Sequence, residues 1–365
     1  MKLVVLGLSL SSSWGNGHAT TFRALLEAFA ARGHEVLFLE RTQPWYAANR
    51  DLTDPEYCRL EYYADLGGLE QWRAQVEAAD AVMVGSYVPD GVAVGRWVQQ
   101  TAQGTTCFYD IDTPVTLAKL ARRDHEYLSP DLIPGYDIYF SFTGGPTLGR
   151  LEEEFGAPRA RPLYCSVDTA RYRPLDVPLR WDLSYLGTYS PDRQPTLERL
   201  LLEPARRRPD LRFVVAGPKY PEEIDWPENV ERIEHIPPAD HPAFYAASRF
   251  TLNVTRADMI AAGWSPSVRL FEAGACATPI ISDRWRGIDT LFAPGKQIVL
   301  AEHPEDVLTA LDGDARQMGS SAREEVLANH SSERRAEQLE KELEQARSAV
   351  SITGNRRNVP HHVYS

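Results

Sequence analysis

The stretch from residue 265 to residue 269 combines residue types that suit the binding of a phosphate group. Ser265 is a good N-cap and Pro266 suits the first helical position, so the sequence predicts that a helix begins here. The first-turn amides, chiefly those of Ser267 and Val268, then remain partly unpaired at the positive end of the helix dipole. Arg269 adds a fixed positive charge. This combination predicts an anion site.

Glu272 follows in the same predicted helix. It lies roughly 8 Å further along the axis at 1.5 Å per residue, which is about the distance from a diphosphate to the ribose hydroxyls of a nucleotide. One carboxylate can accept hydrogen bonds from both hydroxyls. The small residues at 274–277 allow the helix to lie close to a sheet, and 278–283 is predicted as the next buried strand. The alternative is a carboxylate that is simply solvated.

These residues belong to a regular alternation of apolar runs and amphipathic segments. Such alternation is typical of βαβ units, in which helices cover both faces of a parallel sheet. The apolar runs predict strands at 3–8, 35–40, 81–85, 105–111, 137–142, 161–165, 183–187, 212–216, 231–234, 250–254, 279–282 and 297–300. Helices at about 304–313 and 333–349 are predicted to follow the last strand.

The segment from 168 to 180 interrupts this alternation and is typical of a linker. We therefore predict an α/β protein with two doubly wound, Rossmann-like domains that face a cleft. The first domain spans 1–170 and the second spans 181–349, with a linker at 171–180 and a tail at 350–365.

Ligands of doubly wound domains bind at the carboxyl ends of the strands, so the loops that follow strands are the candidates for binding. In the second domain, Gly187 opens one such loop, which also carries Arg193, and Lys219 lies in the next. Each of the two cations can pair with a diphosphate, or can be an ordinary surface charge. Arg256 is better placed, because it follows a strand directly and a guanidinium binds phosphate oxygens bidentately.

In the first domain, Gly15, Asn16 and Gly17 lie between the first strand and the first helix. Glycines let the backbone come close to a ligand, and the helix beginning near Ala19 offers its amides to an anion. His18 is a candidate general base because an unperturbed imidazole titrates near neutrality. A structural role as a cap or a packed ring is the alternative.

Two other strand ends of the first domain carry polar residues. Asp110 and Asp112 stand at positions i and i+2 of an extended segment, where their side chains point the same way and allow a metal or a paired acid and base. Asp112 also suits an ordinary helix start. Thr143 and Gly144 follow the next strand and face the same cleft, where Thr143 is a candidate ligand contact.

The segments LNVTRADM and SPSVRLFEAGACATPIISD, with Pro294 and Gly295 downstream, resemble a known family. The chain is similar to nucleotide-sugar-dependent glycosyltransferases of the GT-B fold, most closely the spore maturation protein CgeB-like branch. The resemblance covers nearly the whole chain. In the wider family an E-x7-E pair binds the donor, and Glu272 matches its second member, the ribose ligand. Trp264 stands at the first position, so this chain lacks the first acid of the pair.

The resemblance implies transfer of a sugar from a UDP or dTDP donor to a hydroxyl of a glycan, a small molecule or a protein. It implies no metal and no cofactor beside the nucleotide sugar, so an acceptor-side role is favoured for Asp110 or Asp112. In the family, basic residues at the corresponding two loops hold the donor phosphates, so the resemblance implies this role for Arg193 and Lys219. Its architecture also places His235 in the wall around the base.

Composition excludes some partners. The formal net charge of −12 argues against nonspecific binding to nucleic acid or to an anionic membrane. No apolar run reaches the 18 residues of a membrane span, and the four cysteines show no C-x-x-C spacing. Reduced thiols and the absence of a cleavage site after the first apolar run predict a cytoplasmic protein.

Two other functions remain open. Gly15 and Gly17 follow the first strand and Glu40 ends the second, as in an NAD(P)-linked oxidoreductase, although Thr20 replaces the third glycine of that fingerprint. A non-catalytic nucleotide-sugar-binding assembly protein is the second alternative, and Trp264 at the place of the first acid supports it.

Overall fold

The computed structural model describes residues 1–13 and 17–352, and its strands form two parallel sheets. The first sheet has the order β3-β2-β1-β4-β5-β6-β7. Its strands are β1 (Lys2–Gly7), β2 (Glu35–Arg41), β3 (Arg59–Tyr63), β4 (Ala81–Gly85), β5 (Thr105–Asp110), β6 (Ile138–Ser141) and β7 (Ala160–Pro162).

The second sheet has the order β10-β9-β8-β11-β12-β13. Its strands are β8 (Trp181–Leu186), β9 (Phe213–Ala216), β10 (Val230–Ile233), β11 (Ser248–Asn253), β12 (Ile280–Asp283) and β13 (Val299–Ala301). The predicted fold class is confirmed. Strand order reverses beside β1 and β4 in one sheet and beside β8 and β11 in the other, which opens a crevice at each carboxyl edge.

Helices cover both faces of each sheet. They are α1 (Gly17–Ala31), α2 (Pro44–Ala47), α3 (Arg73–Glu77), α4 (Gly91–Thr101), α5 (Thr113–Ala121), α6 (Pro146–Glu153), α7 (Gln194–Leu197), α8 (Glu203–Arg207), α9 (His241–Ala246), α10 (Ala257–Ala262), α11 (Val268–Ala275), α12 (Pro304–Asp312), α13 (Arg316–Asn329) and α14 (Ser332–Ile352). Within the described ranges, no helix is both long enough and apolar enough to cross a bilayer.

Burial explains why the central strands could be recognised. Every residue of β4 is buried, because helices lie on both faces, and the strand is accordingly one continuous apolar run. β3 escaped prediction because it is an edge strand with a polar pattern, and only Tyr63 in it is fully buried. The strand pairs with β2 through backbone hydrogen bonds.

The last helix, α14, belongs by packing to the first domain. Its residues Leu339 and Leu343 are fully buried in the same apolar cluster as Leu26 and Phe29 of α1. The domain boundaries predicted from the sequence had assigned residues 333–349 to the second domain. The chain therefore crosses between the domains twice, and a backbone hydrogen bond from Ser332 to the carbonyl of Val167 joins the two crossings at 2.9 Å.

Candidate active site in the cleft between the two domains

Helix α11 begins two residues later than predicted. Its N-cap is Ser267, whose hydroxyl accepts a hydrogen bond from the amide of Arg269 at 3.3 Å. Ser265 is not the N-cap, because its hydroxyl accepts a hydrogen bond from Thr143 of the first domain at 3.1 Å instead. The amides of Val268 and Arg269 remain in the first turn, at the wall of the cleft.

Three guanidinium groups converge near this helix start. Arg193, Arg256 and Arg269 all line a cavity of about 420 Å³, together with Ser267 and Val268. In the described part of the chain, none of the three has a carboxylate oxygen within ion-pair distance. Burial is the largest cause that lowers the pKa of Arg193, and the charges of Arg269 and Arg256 act in the same direction. The cluster is therefore electrostatically unsatisfied, as a site for an anion must be.

Hydrogen bonds hold the two loops that carry Arg193 and Arg256. Asp283, at the end of β12, accepts hydrogen bonds from the hydroxyl of Thr255 at 2.7 Å and from its amide at 3.1 Å. Asp192 accepts a hydrogen bond from the amide of Ala257 at 2.9 Å. Arg193 donates to the carbonyl of Thr188 at 2.6 Å. Arg193 and Arg256 therefore lie on loops whose backbone is held by hydrogen bonds.

Glu272 borders a second cavity, of about 260 Å³, which adjoins the first. The two cavities share Gly17, Thr21, Val268 and Arg269 as lining residues. Glu272 is only 5% exposed, and its Oε2 accepts a hydrogen bond from the hydroxyl of Tyr245 at 3.1 Å. A carboxylate fixed from behind and facing a cavity can accept hydrogen bonds from ligand hydroxyls.

Several residues around Glu272 carry no signal in the sequence. Tyr245 holds the carboxylate, and Tyr172 lies beside it in the segment predicted as a linker. The Tyr172 hydroxyl lies 3.4 Å from Nδ1 of His241, whose Nε2 lies 3.3 Å from the carbonyl of Ile236. Burial lowers the pKa of His241. No spacing in the sequence connects these positions, so only the fold could bring them together.

Two glycine-containing loops form the opposite wall of the second cavity. Gly187, Gly217 and the exposed His235 all line it. The hydroxyl of Tyr220 donates to the carbonyl of Gly187 at 3.0 Å, and the guanidinium of Arg232 donates to the carbonyl of Gly217 at 3.2 Å.

A stacked arrangement supports these two loops. The Arg232 guanidinium lies 4.2 Å from the ring centre of Tyr220 and 4.4 Å from that of Trp226. Lys219 does not share the site. It is exposed, has a left-handed backbone with φ of 70° and lines neither cavity. The predicted pairing of Lys219 with a diphosphate is not met, because the turn after Gly217 directs this residue away.

On the first domain, Gly17 and His18 open helix α1 and line the first cavity. The His18 ring packs edge-on against Tyr87, with 5.3 Å between ring centres. Burial lowers the pKa of His18 to about 4, so the imidazole is neutral at pH 7 and can accept a proton, but as a weak base. Gly15 and Asn16 lie outside the described residues.

The two aspartates at the end of β5, Asp110 and Asp112, do not face the same way. Asp110 is fully buried and accepts hydrogen bonds from the hydroxyls of Tyr139 at 2.6 Å and Thr116 at 2.7 Å. Burial raises its pKa to about 6. The strand ends at Asp110, so the i, i+2 alternation of an extended chain does not continue to Asp112, and the prediction that the two side chains point the same way is wrong.

Asp112 does line the first cavity, opposite the arginines. The hydroxyl of Tyr87 lies 3.4 Å from its Oδ2. Burial raises the pKa of Asp112, and the nearby charge of Arg256 acts in the opposite direction. Over the described ranges, no cluster of three or more His, Cys, Asp or Glu side chains is arranged to hold a metal ion.

Thr143 and Gly144 lie at the domain boundary rather than in a ligand cavity. Thr143 is fully buried against Ser265, and the amide of Gly144 donates to the carbonyl of Trp264 at 2.9 Å. Neither residue lines the two cavities. The predicted ligand contact of Thr143 is therefore replaced by a contact with the other domain.

Glu40 bears on the oxidoreductase alternative. It is 1% exposed and accepts hydrogen bonds from the amides of Leu10 and Ser11 at 2.7 and 2.9 Å, and from the Ser11 hydroxyl at 2.6 Å. A ribose-binding acid must present its oxygens to the cleft. Glu40 instead holds the loop after β1, so the geometry does not support a dinucleotide site there.

Comparisons with known proteins agree with this arrangement of two sheets around a cleft. Residues 193–341 match a family model described as glycosyl transferase-like. The sucrose-phosphate synthase of Thermosynechococcus elongatus aligns with a TM-score of 0.68 at 16% identity, covering 96% of this chain and 100% of that chain. The chain has the GT-B glycosyltransferase fold.

Two further structures support the same assignment of the fold. HepE from Anabaena, in complex with UDP, aligns with a TM-score of 0.70 at 14% identity, covering 94% of this chain and 100% of that chain. An alpha-glucosyltransferase in complex with UDP and a mismatched 13-mer DNA gives 0.68 at 11% identity, covering 94% and 99%. A search of curated proteins gives no match.

Proposed function

We propose that this GT-B protein moves a sugar from a UDP or dTDP donor to a hydroxyl-bearing acceptor, as a member of the CgeB-like branch. One observation carries the proposal: three arginines without an ion-pair partner among the described residues line the cavity at the start of α11, directly beside the cavity that Glu272 borders. This matches the order of groups in a nucleoside diphosphate, with the diphosphate at the arginines and the ribose at Glu272. The HepE complexes with UDP and with UDP-glucose support uracil as the base.

In this proposal the second domain stabilises the departing diphosphate. Arg193, Arg256 and Arg269, with the first amides of α11, supply fixed positive charge where negative charge develops during bond cleavage. Lys219, which sequence analysis placed beside them, is left out because it faces solvent. Three permanent cations at the diphosphate support transfer without a bound metal or other cofactor.

The first domain presents the acceptor. His18 and Asp112 line the same cavity as the arginines, so an acceptor hydroxyl between them lies next to the donor phosphates. Neutral His18 can take the hydroxyl proton, and Asp112 can orient the hydroxyl. The acceptor is a glycan, a small molecule or a protein. The acidic net charge supports neither nucleic acid nor an anionic membrane as a partner, and we place the protein in the cytoplasm.

The test is incubation of the protein with UDP-glucose, UDP-galactose, UDP-N-acetylglucosamine and dTDP-glucose, followed by detection of released nucleotide. We expect slow hydrolysis with one donor and faster release when an acceptor is added. The control is the Arg256→Ala/Arg269→Ala double variant, which removes two cations from the site. Equal release by the control would contradict the proposal. UDP binding without release under every condition would favour the non-catalytic sugar-binding alternative.

A further inference from the structure

The indole of Trp264 lies between one glycine from each domain. Gly145 follows β6 in the first domain and Gly287 follows β12 in the second. A Cβ atom built on Gly145 would lie 2.5 Å from Cε3 of the indole, and one built on Gly287 would lie 2.5 Å from Cδ1. No side chain fits in either place, so the ring contacts both backbones directly.

The same loop is hydrogen-bonded across the domain boundary at two points. The amide of Gly144 donates to the Trp264 carbonyl at 2.9 Å, and the hydroxyl of Thr143 donates to that of Ser265 at 3.1 Å. Within the second domain, the Trp264 amide donates to the carbonyl of Arg286 at 2.7 Å. Trp264 is thus anchored on its own domain and bonded to the other.

The backbone at this position is unusual. Trp264 has φ of 44°, in the left-handed region that a bulky residue rarely adopts. Such a conformation persists only where the surrounding structure enforces it, and it is concentrated at functional sites. Gly145 and Gly287, with φ of 59° and 91°, have the left-handed backbone that glycine tolerates.

We propose that Trp264 is a positioning residue that fixes the separation of the two domains. We call its contacts with Gly144, Gly145 and Gly287, together with the Thr143–Ser265 hydrogen bond, the tryptophan clasp. Ser265 connects the clasp directly to the segment that enters α11. The clasp therefore sets the distance between the acceptor-side residues of the first domain and the arginines of the second. Its kinetic consequence rests on the proposed function, whereas its effect on domain separation does not.

The main test is Gly145→Ala, which pushes a methyl group against the indole from the first domain and leaves the donor-binding residues untouched. Gly33→Ala is the matched control, because Gly33 also has a left-handed backbone, with φ of 88°, in the same domain but has no atom within 4 Å of its Cβ position. Turnover, UDP affinity and the radius of gyration from small-angle X-ray scattering are measured for each.

We expect Gly145→Ala to lower turnover on the order of 100-fold, because displacing reacting groups by about 1 Å has an effect of this size. UDP affinity should stay at the native value, and the scattering should show wider domain separation. Gly33→Ala should change thermal stability only. Adding Trp264→Ala to Gly145→Ala should restore part of the compactness, since the clash disappears, so the two substitutions will not be additive.

Similar turnover and scattering in Gly145→Ala and Gly33→Ala would overturn the proposal, and so would additive effects of Gly145→Ala and Trp264→Ala. If the native protein transfers or hydrolyses no nucleotide sugar, the proposed function fails. The scattering comparison then still decides whether the clasp sets the domain separation.

Discussion

Replacing Glu272 by alanine tests the assignment of the ribose site. The carboxylate borders the smaller cavity and is fixed from behind by the Tyr245 hydroxyl. A hydrogen bond to a charged group contributes about 1.5–3 kcal/mol, so the loss of two ribose contacts should cost about 3 kcal/mol or more. Because each 1.4 kcal/mol changes Kd tenfold, UDP should bind roughly 100-fold more weakly to Glu272→Ala.

Isothermal titration calorimetry with two ligands separates the ribose site from the phosphate site. UDP carries a ribose and pyrophosphate does not, so only UDP should lose affinity. Alanine also leaves the buried Tyr245 hydroxyl without its acceptor, which should destabilise the fold by about 1–3 kcal/mol. Glu272→Gln controls for this loss, since its amide oxygen can still accept that hydrogen bond. It should keep the native thermal stability and still bind UDP more weakly.

The reasoning would be refuted if Glu272→Ala bound UDP with native affinity, or if UDP and pyrophosphate lost affinity equally. The first result would move the ribose elsewhere in the cleft. The second would mean that the substitution had disturbed the start of α11 rather than a hydroxyl contact.

Three further predictions concern the surroundings of this site. Arg256→Ala should lower turnover roughly 100-fold by removing a cation from the departing diphosphate, whereas Lys219→Ala, at an exposed cation outside the cavities, should stay near native in the same assay. Tyr220→Phe removes the hydrogen bond to the carbonyl of Gly187 and, at about 1 kcal/mol, should weaken UDP binding about fivefold by calorimetry. Burial holds the pKa of His330 in the folded protein at about 3, whereas in the unfolded chain the imidazole has its ordinary pKa of 6.5. Below pH 6.5 the unfolded chain therefore binds a proton that the folded chain does not bind. The free energy of unfolding therefore falls by about 1.4 kcal/mol per pH unit on acidification below that value. Between neutral pH and about pH 5, urea unfolding should show a loss about 2 kcal/mol smaller in His330→Gln than in the native protein.

Sequence analysis located the elements that carry the site because buried parallel strands are continuous apolar runs. The rule that ligands bind after strands predicted Arg193 and Arg256 as phosphate contacts, and the predicted helix start did the same for Arg269; all three line one cavity. It could not separate Lys219 from them, because direction within a turn depends on a backbone angle that composition does not reveal. Helix α13 also escaped prediction, since its sequence is polar and only weakly amphipathic.

The wrong predictions for Ser265 and Asp110 share one cause: each side chain is hydrogen-bonded to a residue distant in the sequence. Ser265 was predicted as an N-cap, but its hydroxyl accepts a hydrogen bond from Thr143, 122 residues earlier. Asp110 was predicted as a candidate acceptor-side residue, but its carboxylate accepts hydrogen bonds from the hydroxyls of Tyr139 and Thr116. Tyr245 is the converse case, a core tyrosine that became functional through a contact 27 residues away.

The return of the chain to its starting domain through α14 limits how this protein can be dissected. A fragment that stops after the linker would lack helix α14, which covers Leu26 and Phe29. It would therefore expose an apolar surface to water. The second domain, by contrast, is an insertion tethered at both ends. Two chain crossings restrict the rotation of this domain more than a single linker would, and both crossings must be kept in any shortened version of the protein.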